Sequence, residues 1–299
     1  MVTIEKEVDT KLETKQNRDD YSISCFVILN DSKAFNISTK SYNIEICGKP
    51  MVSWVARACP TPPVYIEQEG NDSIIETIRP YLKSTDYTLV LYSDTPLMTK
   101  SNIDEIMEFV VNRGLNVCKL TRGYVFKTDY IKRVGEIYTP QTYYFEEEDF
   151  MIAASFSQVG IIADILKNRI LSYHMKNGVY FKDSVTTVIG ADVAIGNGTI
   201  IEPNVSLLGK VIIGEDCKIG SGSKLENARV FDSVIVNGAV IKASVIESGV
   251  TIGDNVVIEK NSLIKKDCVI KNNVVISNSI IAENTIIENG SNYFRPAVK

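Results

Sequence analysis

An aliphatic side chain recurs every six residues along the second half of the chain. It does so at Ile189, Ile195, Ile201, Leu207, Ile213, Ile219 and Leu225, and again at Ile252, Ile258, Ile264, Ile270 and Ile276. Between the two runs Val230, Val236, Ile241 and Ile246 keep spacings of five or six. A period of six matches neither the 3.6 of an amphipathic helix nor the simple alternation of an ordinary strand. It predicts a strand of about four residues followed by a corner, with the aliphatic residue pointing into a prism of three parallel sheets. Glycine commonly follows the aliphatic position, as in Ile189-Gly190, Ile195-Gly196, Ile213-Gly214, Ile219-Gly220 and Ile252-Gly253, and is expected to form the corners. No single face can bury its side chains alone, so the coils must stack. The expected result is a parallel β-helix from about Val185 to Ile287.

The remaining length of a 299-residue chain suffices for a second domain with its own core. A net charge of −5 and a pI near 5.2 argue against nucleic acid and against a membrane surface as partners, since both demand a basic footprint. Residues 1–20 are charged throughout and offer no apolar signal core, so the expected location is the cytoplasm. Six cysteines lie scattered without a CxxC pair, which predicts reduced packing residues instead of a zinc knuckle or a disulfide framework. His174 is the only histidine, and chemistry that needs paired imidazoles is excluded.

Ahead of the repeats, Ser24–Leu29 and Tyr87–Tyr92 read as short buried strands. Helices are expected over Pro50–Ala58, over Ser73–Leu82 with a cap from Asn71, Asp72 or Ser73, and over Ser101–Asn112 with a Ser or Asn cap. Strands alternating with helices imply a small α/β sheet whose ligands sit at strand carboxyl ends. Asp94 lies directly beyond the second strand, in Ser93-Asp94-Thr95-Pro96-Leu97. A carboxylate there can hold a nucleotide's Mg²⁺ or serve only as a turn residue.

The hexapeptide pattern resembles the left-handed β-helix of hexapeptide-repeat acyltransferases and of sugar nucleotidyltransferases, which are usually trimers. Further residues extend the likeness: Cys47-Gly48-Lys49-Pro50-Met51-Val52, then Gln68 and Gly70, then Leu91 to Leu97, then Gly178-Val179 entering the repeats. In that order they resemble the bifunctional N-acetylglucosamine-1-phosphate uridylyltransferase/glucosamine-1-phosphate acetyltransferase family, from about Ser24 to Ile287 with large gaps. The resemblance implies an α/β nucleotidyltransferase-like (Rossmann-like) domain followed by a left-handed parallel β-helix. It also implies that Gln68 and Gly70 read a uracil, that Lys49 lies near phosphates, that Asp94 binds Mg²⁺, and that the chain forms a homotrimer.

The chain also departs from the family. Where the family has a glycine-rich loop ending in Arg-Met, this sequence has Leu29-Asn30-Asp31-Ser32-Lys33-Ala34-Phe35, and the catalytic lysine position is Ser41. The second magnesium ligand aligns with Thr121, ahead of Arg122-Gly123. A loop without glycine approaches a phosphate poorly, and Asp31 adds repulsion. Acyl transfer would need a late histidine, and none follows His174.

The expected organisation is a leader at 1–20, a shortened nucleotidyltransferase-like domain at 21–137, a connector at 138–177 and the β-helix with its tail at 178–299. In the connector, Tyr138–Asp149 reads as an exposed loop and Phe150–Lys176 as a pair of helices. Two readings stay open. One is a Mg²⁺-dependent nucleotidyltransferase acting on a sugar 1-phosphate, with activity weakened or lost. The other is a noncatalytic regulatory or scaffold relative that keeps a site for a uridine nucleotide or sugar nucleotide. A hexapeptide-repeat acyltransferase ranks behind both.

Overall fold

The computed structural model describes residues 21–68, 73–137, 141–143 and 148–294. Two compact units emerge: one comprises residues up to Tyr42 together with Met51–Ile152, the other Asn43–Pro50 together with the chain from Ala153 onward.

The first unit is built on a six-stranded mixed sheet. Its strands are β1 (Ile23–Leu29), β2 (Val64–Glu67), β3 (Tyr87–Tyr92), β4 (Val117–Leu120), β5 (Gly123–Lys127) and β6 (Gln141–Thr142), in the spatial order β2-β1-β3-β5-β4-β6. β1 runs parallel to β2 and β3, β5 runs antiparallel to β3 and β4, and β6 runs parallel to β4. Alternate residues of the central strands feed two cores, because successive side chains of a strand point to opposite faces. Cys25, Val27, Leu89 and Leu91 face α1 (Met51–Ala58) and α3 (Lys100–Asn112). Phe26, Ile28, Val90 and Phe126 face α2 (Ile74–Ile78) and α4 (Thr128–Ile131). Both central strands therefore read as unbroken apolar runs.

Helix entry follows the local sequence. Ser73 and Glu76 form a reciprocal capping box ahead of α2. α3 is capped by Thr99 with Asn102 at the third helical position, so the cap lies earlier than the Ser or Asn expected from sequence. Its Ile103, Ile106, Met107 and Val110 then fall on one buried face.

The second unit is a left-handed β-helix of about six turns, with faces of seven, six and seven parallel strands. The strands are only two or three residues long, shorter than the expected four. Every residue of the two aliphatic runs is buried, from Ile189 to Ile276. α5 (Phe156–Lys176) is one helix of 21 residues, not the expected pair, and it contributes Leu171 to the same core. The thiols of Cys217 and Cys268 are buried and donate to the backbone carbonyls of Phe231 and Ala282.

The corners differ from the sequence expectation. Gly190, Gly196, Gly214, Gly220 and Gly253, which follow the aliphatic positions, are not left-handed. At Gly196, Gly214, Gly220 and Gly253 the neighbouring coil is too close for a side chain: a Cβ on Gly196 would stand 2.6 Å from the backbone of Gly214, whereas one on Gly190 would meet nothing nearer than 3.5 Å. The left-handed corners come later in each repeat and stack in columns. One column is Gly198, Asp216, Ser233, Gly249, Asp267 and Asn284. Asn and Asp tolerate this conformation better than other side-chain-bearing residues, which explains their abundance here.

Candidate functional site

β1 and β3 end side by side, and the segments beyond their carboxyl ends meet. The backbone N–H of Ser93 donates to the Ile28 carbonyl, extending the parallel ladder by one residue. The Ser93 hydroxyl in return accepts the N–H of Asn30 at 2.9 Å. This clasp fixes Asn30 beside Asp94, and the Asn30 amide donates to Asp94 Oδ2 at 2.6 Å.

Asp94 is 4% exposed, and it is held mainly by Arg122. Arg122 Nε donates to Oδ1 at 2.8 Å and Nη2 to Oδ2 at 2.7 Å, a parallel two-bond fork. The guanidinium also lies over the Tyr92 ring, 4.5 Å from its centroid. Burial raises the Tyr92 phenol above its ordinary pKa, so it faces Arg122 as a neutral ring. Arg122 occupies the two-residue turn between β4 and β5, where Leu120 pairs with Gly123. Gly123 sits at φ +134, and a Cβ there would lie 2.4 Å from the Val90 carbonyl oxygen. Only glycine lets the hairpin close so tightly on β3, and that closure aims Arg122 at Asp94.

A cleft of about 290 Å³ opens beyond β1 and β2, lined by Asn30, Asp31, Lys40, Tyr42, Glu67 and Gln68 among others. The Tyr42 hydroxyl donates to Glu67 at 2.9 Å, and Lys40 pairs with Asp31 at 3.1 Å. The Ser41 backbone N–H, with Lys40 next in weight, holds the Asp31 carboxyl below the usual range. Ser41 itself is buried. Its hydroxyl accepts the Ser32 N–H and donates to the Asn30 carbonyl. The two ends of the segment from Asn30 to Ser41 are thus tied together, Ser32 caps a short 3₁₀ turn, and residues within 31–40 line a second cavity of about 460 Å³.

Of the residues singled out from sequence, Asp94 and Gln68 fall in this unit, at the Arg122 fork and in the cleft respectively. Gly70 lies outside the described residues. Lys49 falls in the second unit, where it closes a hairpin of Glu45–Ile46 and Lys49–Pro50 and its ammonium pairs with Asp192. The Cys47-Gly48 turn of that hairpin has both residues at positive φ, and the Cys47 carbonyl accepts the Ala191 N–H. His174 is 3% exposed, and burial lowers its pKa against a hydrogen bond to the Val193 backbone. Asn30 and Arg122 were not picked out as functional from sequence. For Asn30 the available signal was a polar residue directly after an apolar strand; Arg122, in the turn two residues beyond Leu120, had none.

Comparison with known proteins bears on the same question. The model of the GMPPB C-terminal domain matches residues 180–290, within the β-helix. The bifunctional protein GlmU of Enterococcus faecalis is 42% identical over 89 residues, 30% of this chain and 19% of that protein. GlmU of Clostridium beijerinckii is 34% identical over 151 residues, half of this chain and 32% of that protein. The chain is therefore similar to the GlmU-type sugar nucleotidyltransferases, and it spans less than a third of the length of these two relatives. Among solved structures, Rv0371c from Mycobacterium tuberculosis H37Rv gives a TM-score of 0.36 at 11% identity, over 48% of this chain and 97% of that one.

Proposed function

We propose that the protein serves sugar-nucleotide metabolism as a nucleotidyltransferase relative whose α/β unit binds a uridine nucleotide or nucleotide sugar and transfers weakly or not at all. The observation that carries this reading is the state of Asp94. Both of its oxygens accept N–H groups from Arg122, one accepts a third from Asn30, and the residue is buried.

A hard divalent cation needs carboxylate lone pairs facing open space and several further oxygen ligands. With both Asp94 oxygens taken by Arg122 and Asn30, its surroundings do not fit Mg²⁺, although GlmU-type enzymes generally use it. The segment from Asn30 to Ser41 points the same way, because its two ends bond to each other: the Ser41 N–H and hydroxyl engage Asp31, Ser32 and Asn30.

In this reading Gln68 meets the base and the cleft it lines takes the nucleoside, while Gly70, assigned to the same base, lies outside the described residues. Lys49, expected near phosphates, pairs with Asp192. The β-helix serves assembly as a homotrimer. Its six-stranded face presents Ala194, Ile212, Val245, Leu263 and Ile280 outward with only Arg229 between them, an apolar row suited to burial against a second copy. The proposed setting is the cytoplasm. Among the described residues no helix is long and apolar enough to cross a membrane, and the acidic charge gives nucleic acid no purchase.

Binding of UDP-N-acetylglucosamine raises the apparent stability of the folded state by mass action. A rise in melting temperature with this ligand is expected. A pyrophosphate-release assay with UTP and N-acetylglucosamine 1-phosphate should stay at background. Turnover at about 1 s⁻¹ or more, the lower edge of ordinary enzymes, would show that the site is an active transferase and sink the proposal.

A further inference from the structure

The Arg122 fork is more than an ion pair that fills space. A guanidinium carries five N–H donors in a plane, and Asp94 uses two of them. Arg122 has no other hydrogen-bond acceptor among the described residues, its side chain is 29% exposed, and three donors are left on the side away from the carboxylate. Its orientation is fixed from three directions. Asp94 holds the fork, the Tyr92 ring lies under its plane, and the hairpin that carries it is pinned by Gly123. A flexible surface arginine pays rotamer entropy to bind a ligand; this one is already ordered.

We infer that Arg122 stands in for a divalent cation at the carboxyl end of β3: Asp94 takes no metal, and the outward N–H groups of Arg122 receive an anionic oxygen of the ligand. The inference rests on the nucleotide-binding reading above and assigns the group that meets the phosphate. The chemistry is coherent. A cation bound to a carboxylate and a phosphate at once is an ordered pair of charge-assisted contacts, and a guanidinium can make both sets of contacts with fixed geometry. Asn30 adds a neutral donor to the same carboxylate, so Asp94 keeps little capacity for a metal. Two sequence features carry the replacement. Arg122 immediately follows the threonine aligned with the second magnesium ligand, and Asn30 opens the segment that has lost its glycines.

The test uses the 299-residue chain freed of metal, with UDP as the nucleotide probe and Mn²⁺ as the metal probe. Calorimetric titration with UDP should give the same affinity in EDTA as in excess Mg²⁺. The double variant Asp94→Asn/Arg122→Met avoids a buried unpaired carboxylate and should lose at least about tenfold in affinity, the lower end for a hydrogen bond to a charged group. Arg122→Lys keeps the charge without the fork and should fall between. UDP binding that appears only with Mg²⁺ overturns the inference and leaves the binding reading standing. Equal UDP binding by the wild type and the double variant also overturns it. Should UDP bind under neither condition, the binding reading fails and the anion half of the inference with it. Mn²⁺ titration followed by paramagnetic relaxation then decides the remaining half. Mn²⁺ binding by the wild type that vanishes in Asp94→Asn refutes it, and no Asp94-dependent binding supports it.

Discussion

The two units solve the packing problem by opposite means. In the β-helix each buried aliphatic residue meets its counterparts one coil above and one coil below, about 18 residues away in sequence, and the same solution repeats for six turns. In the α/β unit no environment repeats. β1 pairs with β3 across 64 residues, as in Ser24 with Thr88, and the sheet reverses direction at β5. A repeating unit shares the cost of any one defect with few neighbours. A mixed sheet concentrates it, because both cores depend on the same central strands.

The strongest way to break this comparison is to truncate one core residue in each unit. Phe126 and Ile258 are both fully buried. Phe126→Ala should cost about 3–5 kcal/mol and Ile258→Ala about 2–5 kcal/mol, from lost burial and the cavity left behind. The single tryptophan, Trp54, lies in α1 of the first unit, so its fluorescence reports that unit while far-ultraviolet circular dichroism reports both. Phe126→Ala should move the fluorescence midpoint in urea. Ile258→Ala should move the circular dichroism transition and leave the fluorescence midpoint in place. If both variants shift both signals together, the units unfold as one and the contrast drawn above is wrong.

The same contrast explains which features are legible in the sequence. The column Ile189 to Ile276 was legible because its signal is short-range and repeated, and every one of those positions is buried. The two central strands and the approximate extents of α1 and α3 were legible from apolar runs and caps, while the single helix expected over Ser73–Leu82 is the short α2 followed by a 3₁₀ turn at Arg79–Tyr81. The corners were misplaced because glycine has two uses: it permits a left-handed backbone, and it permits close approach of another chain segment. Gly196 serves the second, while Asp216 and Asn284 serve the first. At the site, Asp94 was visible from its place beyond a buried strand. Its partner Arg122 was not assigned, because a hairpin 28 residues further on brings it back. No local pattern encodes that pairing.

A smaller effect sharpens the comparison at the corners of the β-helix. Ala243 is left-handed, with φ 44, in a column shared with Gly209 and Asn227. An alanine Cβ in that conformation costs roughly 1–2 kcal/mol, and glycine removes this cost while adding about 0.5–1 kcal/mol of unfolded-state entropy. Ala243→Gly should therefore stabilise the β-helix by about 0.5 kcal/mol, read as a higher circular dichroism midpoint. A lower midpoint would mean that the Ala243 methyl contributes more by packing than it costs by strain.

The smallest expected effect is a single proton on the second unit. Burial lowers the pKa of His174 in the folded state below its ordinary 6.5, with the Val193 hydrogen bond opposing the shift in part. The unfolded chain therefore takes up this proton first as pH falls, and stability rises with pH wherever the unfolded state holds more protons. The contribution is complete above about pH 6.5 and is lost progressively from there down to the folded value. Carboxylates such as Asp31, Asp86, Asp183 and Glu76 have folded values lowered from 3.8 or 4.5, so their losses begin at more acid pH. Between pH 7 and 5.5, the window chosen to bracket the unperturbed imidazole value, the circular dichroism midpoint of the wild type should fall and that of His174→Gln should stay nearly level. The first unit has no histidine, but its Cys25 thiol is lowered to about 7 by the hydrogen bond with Cys59, so the fluorescence midpoint should fall slightly near pH 7 and be flat in both proteins from about pH 6.5 to 5.5. A slope in fluorescence equal to that in circular dichroism would show that the two units share one titration, and that the β-helix is not the self-contained stack its repeats suggest.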